Sequence, residues 1–180
     1  MSGYIPVPAD CLPELKPEPL HHDEGILAIG VILVDARAAS EYKKGLIQGA
    51  VVLGEKAGAV ALRDVDARIL PVTNLEKILG EAGLTRESEI IVYGTTGDTG
   101  PTVVFWILEY LGAEKAKVYL GGIDDWMKAK HPLTNEARKL PAAKFTAKVQ
   151  ADRLATTDFV KKNLKNKEIQ FIDSRTVKEH

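Results

Sequence analysis

Short, continuous apolar runs alternate with helix-like segments along most of this chain, and this alternation constrains the fold more than any other feature. Each run is bounded by turn-forming residues, which is typical of a strand buried on both faces of a sheet. Strands that alternate with helices imply a parallel sheet, because a crossover must connect each pair of neighbouring parallel strands. The sequence therefore predicts an α/β fold with a mostly parallel central sheet flanked by helices on both faces. Its strands are expected in the runs GVILVDAR (30–37), GAVVL (49–53), EIIVY (89–93) and AKVYL (116–120).

The segments between these runs carry helix signals of differing strength. AASEYKKG has lysines in its last turn and is expected to form a short helix closed by Gly45. VTNLEKILGEAGL has apolar residues at helical spacing, with Thr73 or Asn74 available as the N-cap. TVVFWILEYLG predicts a helix ending at Gly112, and GGIDDWMKAKHPL predicts a turn, a short helix and a proline stop. Residues 54–71 give no clear element.

The end of the chain repeats a pattern found near its start. LVDARAASEY (33–42) aligns without gaps with FIDSRTVKEH (171–180), so a strand, an Asp, an Arg and a later Glu recur. A repeat of this long period indicates a duplicated domain. Because a lone strand and helix cannot bury their apolar faces, we expect the chain to be part of a longer protein. The expected divisions are a proline-rich N-terminal extension (1–24), a first α/β domain (25–134), an interdomain connection (135–154) and the truncated start of a second copy (155–180).

Composition argues against several classes of partner and site. The formal net charge is −1 at pH 7, so neither nucleic acid nor a membrane is expected as a partner. No apolar run approaches the roughly 18 residues of a membrane-spanning helix, and no signal peptide is visible. The compartment stays open, cytoplasmic by default and periplasmic if a signal peptide was removed. The single cysteine, Cys11, excludes an internal disulfide and a cysteine-based metal cluster.

No cofactor or metal is expected from the sequence. His21 and His22 adjoin two acidic residues and invite a metal interpretation. Adjacent side chains of an extended segment point in opposite directions, however, so these residues are not expected to share one ion.

The strand EIIVY runs into a glycine-rich loop, GTTGDT, and then into an apolar helix. This layout commonly cradles an anion or presents a nucleophile at the carboxyl edge of a parallel sheet. The strand ends at Gly94, which has no side chain to act as a nucleophile. A P-loop is excluded because no Gly-Lys-Ser/Thr follows. Pro101 suits the first turn of the following helix.

Four motifs in order resemble the rhodanese family of sulfurtransferases, in particular its tandem thiosulfate or 3-mercaptopyruvate type. The family pattern is a strand ending in Asp-x-Arg, then Tyr-x-x-Gly-His-Ile-x-Gly-Ala, then a strand leading into the active loop, and finally Gly-Gly with a nearby Trp. The resemblance covers roughly residues 25–134 and restarts near residue 155, and it implies a rhodanese-like domain followed by the start of another. The matching residues are Asp35, Arg37, Tyr42, Gly45, Ile47, Gly49, Ala50, Gly121, Gly122 and Trp126.

Two departures from the family pattern bear on activity. Leu46 replaces the usual His, which is expected to affect local hydrogen bonding more than chemistry. The active loop of the family reads Cys-x-x-Gly-x-Thr or Cys-x-x-x-x-Arg, whereas here Gly94 takes the place of the nucleophile while Gly97 and Thr99 match. The family needs Cys because a thiolate attacks the outer sulfur of the donor and holds it as a persulfide. The resemblance therefore implies no catalytic residue in this chain.

The loop retains two interpretations. It is a scaffold without chemistry, since first domains of tandem rhodaneses are commonly inactive, or a weak anion cradle of backbone N–H groups. Asp98 brings negative charge to the loop and no Lys or Arg offsets it, which favours the scaffold. The candidate cradle residues are Gly94, Thr95, Thr96, Gly97, Asp98 and Thr99. The pairs Asp35 with Arg37 and Asp173 with Arg175 are interpreted as structural ion pairs or as hydrogen-bond anchors at a strand end, not as catalytic groups.

Three functional hypotheses follow from the resemblance. In the first, the chain is the N-terminal part of a tandem sulfurtransferase that moves sulfane sulfur from thiosulfate or 3-mercaptopyruvate to cyanide or a thiol. Its partners would be the remaining C-terminal rhodanese domain or domains, which carry the persulfide cysteine, and a small sulfur-donor anion. In the second, the chain is an inactive rhodanese-like binding or anion-sensing module. The third, a phosphatase relative, is disfavoured because that loop also needs Cys and Arg.

Overall fold

The structure is a computed structural model that describes residues 30–173. Two compact units are present, divided between Gln150 and Ala151. The first unit contains the sheet and its helices, and the second contains one α-helix and one short 3-10 helix within its described part.

The first unit is organised around a four-stranded sheet in the order β3-β1-β4-β5, in which every neighbouring pair is parallel. A separate antiparallel pair joins β2 to β6. This arrangement confirms the mostly parallel sheet predicted from the sequence. The strands are β1 (Val31–Asp35), β2 (Leu46–Ile47), β3 (Val51–Val52), β4 (Glu89–Tyr93), β5 (Ala116–Val118) and β6 (Leu133–Thr134).

Helices cover both faces of the sheet. Alternate residues of β4 enter different apolar clusters, Ile90 and Val92 on one face and Ile91 and Tyr93 on the other. The first cluster contains apolar residues of α2 and α3, and the second contains those of α4, so each face is buried under helices. The helices are α1 (Gly58–Ala61), α2 (Val72–Glu81), α3 (Gly100–Tyr110), α4 (Gly122–Lys128) and α5 (Thr157–Asn163), with 3-10 helices at Ala39–Lys44 and Ala151–Arg153.

The start of α2 differs from the sequence prediction. The predicted N-cap at Thr73 or Asn74 is wrong, because α2 begins at Val72 after Pro71. The Pro71 carbonyl already accepts the N–H groups of Asn74 at 2.9 Å and Leu75 at 3.1 Å. Proline suits this entry because its φ is fixed near the helical value, here −52°. The short helix predicted to close at Gly45 is present as a 3-10 helix over Ala39–Lys44, with Gly45 as its C-cap.

The segment 135–150, expected to belong to an interdomain connection, is part of the first unit and packs against its helix ends. Its backbone donates hydrogen bonds to carbonyls at the ends of α2 and α3, including Ala143 N to Gly80 O and Lys148 N to Leu111 O, both at 2.9 Å. Phe145 is 3% exposed and packs in the core beneath. The apolar residues of this segment follow neither a helical nor a strand spacing in the sequence, because its backbone pairs irregularly with helix ends and forms no regular element. The proposed domain limits stay a prediction.

The described part of the second unit is small. Its helix α5 is capped by Thr156, whose hydroxyl oxygen accepts the N–H of Phe159 at 3.1 Å. The strand predicted at FIDSR is not formed over residues 171–173, and Arg175 lies outside the described residues. A strand needs a neighbour to satisfy its backbone groups, and within residues 151–173 no strand is present to supply one.

Candidate functional site

The candidate loop connects β4 to α3 at the carboxyl edge of the parallel sheet, where the sequence predicted it. Gly94 is buried, and the residues from Thr95 to Thr99 are exposed. A turn closes the loop, since Asp98 N donates to Thr95 O at 3.0 Å. Gly97 adopts a φ of +82°, the left-handed conformation that glycine takes without steric cost.

The nucleophile position of the family holds no space for a side chain here. A Cβ atom placed on Gly94 would lie 2.5 Å from Pro101 Cγ and 3.0 Å from Pro101 Cδ. The backbone of Gly94 is also fixed from the other side, because its carbonyl accepts the N–H of Ile123 at 2.9 Å. A cysteine at this position would therefore displace the proline ring at the start of α3.

Three backbone N–H groups at the loop, those of Thr96, Asp98 and Gly100, already have acceptors within the chain. Thr96 N donates to Asp124 Oδ2 at 2.7 Å, and the Thr96 hydroxyl donates to Gly121 O at 2.8 Å. Gly100 N donates to Asp98 Oδ1 at 3.0 Å, so a second carboxylate faces the entrance of α3. These carboxylates occupy donors that an anion would use, and their charge opposes anion binding.

No sequence motif pointed to Asp124 as a partner of the loop. The hydrogen bond from Thr96 N lowers the pKa of its carboxyl below the ordinary value, because the bond favours the charged form. Asp124 lies in the first turn of α4, where acidic residues are common because they suit the helix dipole, so its position alone did not indicate a contact with the loop. Its loop partner lies 28 residues earlier in the chain.

The Asp35 and Arg37 side chains form a buried ion pair just below the loop. They are 0% and 2% exposed. Arg37 Nε donates to Asp35 Oδ1 at 3.0 Å, and Arg37 Nη2 donates to Asp35 Oδ2 at 2.6 Å. Arg37 Nη2 also donates to Gly45 O at 2.7 Å. Burial alone would lower the pKa of Arg37, but the hydrogen bond and charge of Asp35 outweigh it and raise this pKa. The geometry fits the structural interpretation of the pair.

Tyr93 completes this network and was also missed. Its hydroxyl donates to Asp35 Oδ2 at 2.8 Å and accepts the N–H of Ile47 at 3.0 Å. Burial, reinforced by the Asp35 charge, raises the pKa of the Tyr93 hydroxyl. The network thus links the carboxyl ends of β1 and β4 to β2, immediately before Gly94. The sequence feature that could have indicated this role is the polar hydroxyl of Tyr93 at the end of an otherwise apolar strand, since a buried hydroxyl needs a hydrogen-bond partner.

The remaining predicted residues contribute less to the site. Leu46, at the family's His position, is buried in β2 opposite Thr134. Asp173 is exposed at the end of the described chain, and Cys11, His21 and His22 lie outside it.

Across residues 30–173 no group of three or more His, Cys, Asp or Glu side chains could hold a metal ion. Within the same residues no helix has the length and apolar character needed to cross a bilayer.

Comparison with known proteins identifies the family. A model described as a rhodanese-like domain matches residues 20–129. Thiosulfate sulfurtransferase from Cricetulus griseus is 25% identical over 161 residues, covering 84% of this chain and 54% of the relative. 3-Mercaptopyruvate sulfurtransferase from Escherichia coli K12 is 25% identical over 142 residues, covering 78% of this chain and 50% of the relative. The crystal structure of SseA from Escherichia coli, with the rhodanese fold of 3-mercaptopyruvate sulfotransferases, has a TM-score of 0.73 at 25% identity, covering 86% of this chain and 63% of that one.

These matches confirm the resemblance drawn from the motifs. The chain spans about half the length of the curated relatives it matches. The family model covers more than half of the chain, and the parallel sheet with helices on both faces agrees with the structural match. The chain therefore belongs to the rhodanese-like domain family, with thiosulfate and 3-mercaptopyruvate sulfurtransferases among its relatives.

Proposed function

We propose that this chain is the non-catalytic N-terminal part of a tandem-rhodanese sulfurtransferase. The observation that carries the proposal is the nucleophile position, where Gly94 offers no thiol and Pro101 fills the space of a Cβ atom. The relatives named above act as sulfurtransferases, and about half of their length has no counterpart here. The proposed persulfide cysteine accordingly resides in a later domain of the longer protein.

The proposed reaction has two sulfur-transfer steps. A cysteine thiolate of the later domain attacks the outer sulfur of thiosulfate, forming the persulfide S–S bond while the donor's S–S bond breaks and releases sulfite. With 3-mercaptopyruvate the C–S bond breaks instead, and the carbon takes up a proton to give pyruvate. Cyanide then attacks the outer persulfide sulfur to form thiocyanate and regenerate the thiolate. A thiol acceptor would receive the same sulfur.

The contribution of this chain would be structural support next to that site. The Asp35, Arg37 and Tyr93 network connects β1 to β4 at the carboxyl edge of the sheet. The loop is held against α4 by the bonds of Thr96 to Asp124 and Gly121. The N–H groups of Thr96, Asp98 and Gly100 have acceptors within the chain, so they do not need an anion to satisfy them.

A cyanide-dependent thiocyanate assay with thiosulfate tests the proposal. The samples are this chain, its Gly94→Cys variant, its Gly94→Cys/Pro101→Ala variant and the longer protein. We expect the chain and the Gly94→Cys variant to be silent and the longer protein to turn over. A longer protein with no turnover, or turnover by this chain itself, would contradict the proposal. Activity of the Gly94→Cys/Pro101→Ala variant without activity of the Gly94→Cys variant would show that Pro101 blocks an otherwise competent loop.

The alternative function is an inactive binding or anion-sensing module. Calorimetric titration of this chain with thiosulfate, sulfate and phosphate separates the two. A sensor would bind one of these anions saturably, whereas a supporting domain would bind none. Asp98 and Asp124 already accept hydrogen bonds from N–H groups at the loop, which favours no binding of these anions.

A further inference from the structure

An open cavity of about 290 Å³ lies between α3 and the turn that follows α1. It is separate from the Gly94–Thr99 loop, although both adjoin the first turn of α3. Its volume is close to the lower end of the range for small-molecule sites, about 300 Å³. Its described lining residues are Arg63, Ala67, Ile69, Thr102, Val103 and Trp106.

Arg63 is the charged group of this cavity, and no carboxylate is among its described lining residues. Its Nε donates to Ala59 O at 3.3 Å, which orients the guanidinium. Its terminal nitrogens have no hydrogen bond or ion pair with any residue between 30 and 173. The acidic residues of the adjoining turn are engaged elsewhere, since Asp64 accepts two backbone N–H groups and Asp66 pairs with Arg68 at 3.7 Å.

Trp106 supplies a flat apolar wall. Its ring stacks on Tyr110 with centroids 5.7 Å apart and an interplanar angle of 9°, which holds it in one orientation. Its indole N–H has no partner in the described part of the chain and is a spare donor. Ile69 and Val103 extend the apolar surface.

We propose that this cavity binds a small organic anion, with a carboxylate on Arg63 and an apolar body against Trp106, Ile69 and Val103. An inorganic anion would use the guanidinium but leave the apolar wall in water, whereas a neutral apolar ligand would leave the guanidinium unused. The site uses no residue of the Gly94–Thr99 loop and is independent of sulfur transfer. It is a ligand site beside the loop.

Titration by ¹H–¹⁵N correlation NMR tests this site, with phenylacetate as the probe and phenylacetamide as its uncharged match. The Trp106 indole signal is distinguished from that of Trp126 by a Trp106→Phe variant. We expect a saturable shift of the Trp106 signal by phenylacetate, with a dissociation constant on the order of 1–10 mM for so small a ligand. We expect phenylacetamide to bind about tenfold more weakly or worse, because it loses the charge-assisted hydrogen bond.

Arg63→Gln should weaken phenylacetate binding by about tenfold. Arg63→Lys should weaken it by less, since lysine keeps the positive charge but cannot donate two parallel hydrogen bonds to a carboxylate as a guanidinium does. The matched control is Arg86→Gln, which removes an arginine before β4, at the opposite edge of the sheet, and should leave binding unchanged. An unsaturable or absent Trp106 shift overturns the proposal, as does equal binding of phenylacetate and phenylacetamide. The amide comparison needs no variant, so it tests the site even if Arg63→Gln fails to fold.

Discussion

Replacing Tyr93 with Phe removes one hydroxyl from the network beneath the loop and leaves the ring in place. That hydroxyl donates to Asp35 Oδ2 at 2.8 Å and accepts from Ile47 N at 3.0 Å. The substitution leaves the Ile47 N–H without its acceptor at a residue that is 1% exposed. It also takes one donor from a buried carboxylate that keeps its Arg37 partner.

The expected cost is the sum of these two effects. A stranded buried donor costs about 1–3 kcal/mol, and a hydrogen bond to a charged group contributes about 1.5–3 kcal/mol. Because Arg37 still satisfies Asp35, the second effect is expected at the low end. We therefore expect Tyr93→Phe to reduce the free energy of unfolding by about 3 kcal/mol.

Tyr119→Phe is the matched control. Tyr119 lies just after β5, is 3% exposed and packs in the same apolar cluster as Tyr93. Its hydroxyl is buried without a hydrogen-bond partner among the described residues. Removing it relieves an unsatisfied polar group, so stability should stay the same or rise. Urea unfolding followed by circular dichroism gives both values, and equal losses for the two variants would refute the reasoning.

Three further predictions concern the loop and the 135–150 segment. Asp124→Asn should be less stable than the unsubstituted chain at neutral pH, because the lowered pKa of Asp124 stabilises the fold above the ordinary carboxyl pKa of 3.8. The difference in unfolding free energy between the two should shrink as the pH falls below 3.8, and urea unfolding at several pH values checks this. Phe145→Ala should cost about 3–5 kcal/mol in the same assay, since the ring fills the core from the 135–150 segment. Gly80→Ala should lower the thermal unfolding midpoint although alanine favours helices, because its Cβ would lie 2.5 Å from Ala143 O.

The sequence predicted the elements whose signals are local. EIIVY became β4 at Glu89–Tyr93, because an apolar run between turn residues marks a buried strand without reference to distant residues. The fold class followed from the order of such runs. What it could not predict were partners far along the chain, such as Asp124 for the Thr96 N–H or Gly80 O for the Ala143 N–H. Those pairings depend on packing, and no period or spacing encodes them.

The loop shows the same limit at the residue that matters most for function. The sequence identified the missing thiol at Gly94, but it did not show that Pro101 occupies the space a side chain needs. That contact joins residues on either side of the loop turn, and it depends on where α3 begins. Loss of the nucleophile and closure of its space are therefore separate facts, and a double-mutant cycle can separate their energies.

The cycle uses Gly94→Ala, Pro101→Ala and the double variant. A Cβ on Gly94 would lie 2.5 Å from Pro101 Cγ, so Gly94→Ala should destabilise the fold by about 1–3 kcal/mol, as overpacked cores do. In the Pro101→Ala background most of that cost should disappear, giving a coupling of about 1 kcal/mol or more.

Gly97→Ala is the control for this cycle. Its Cβ would meet no atom of residues 30–173 within 4 Å, while its φ of +82° imposes a backbone cost that Pro101 does not influence. Gly97→Ala should therefore lose the same stability with and without Pro101. If the Gly94→Ala cost also proves additive with Pro101→Ala, the proline ring does not close the nucleophile position. Restoring a cysteine there would then need no change in α3.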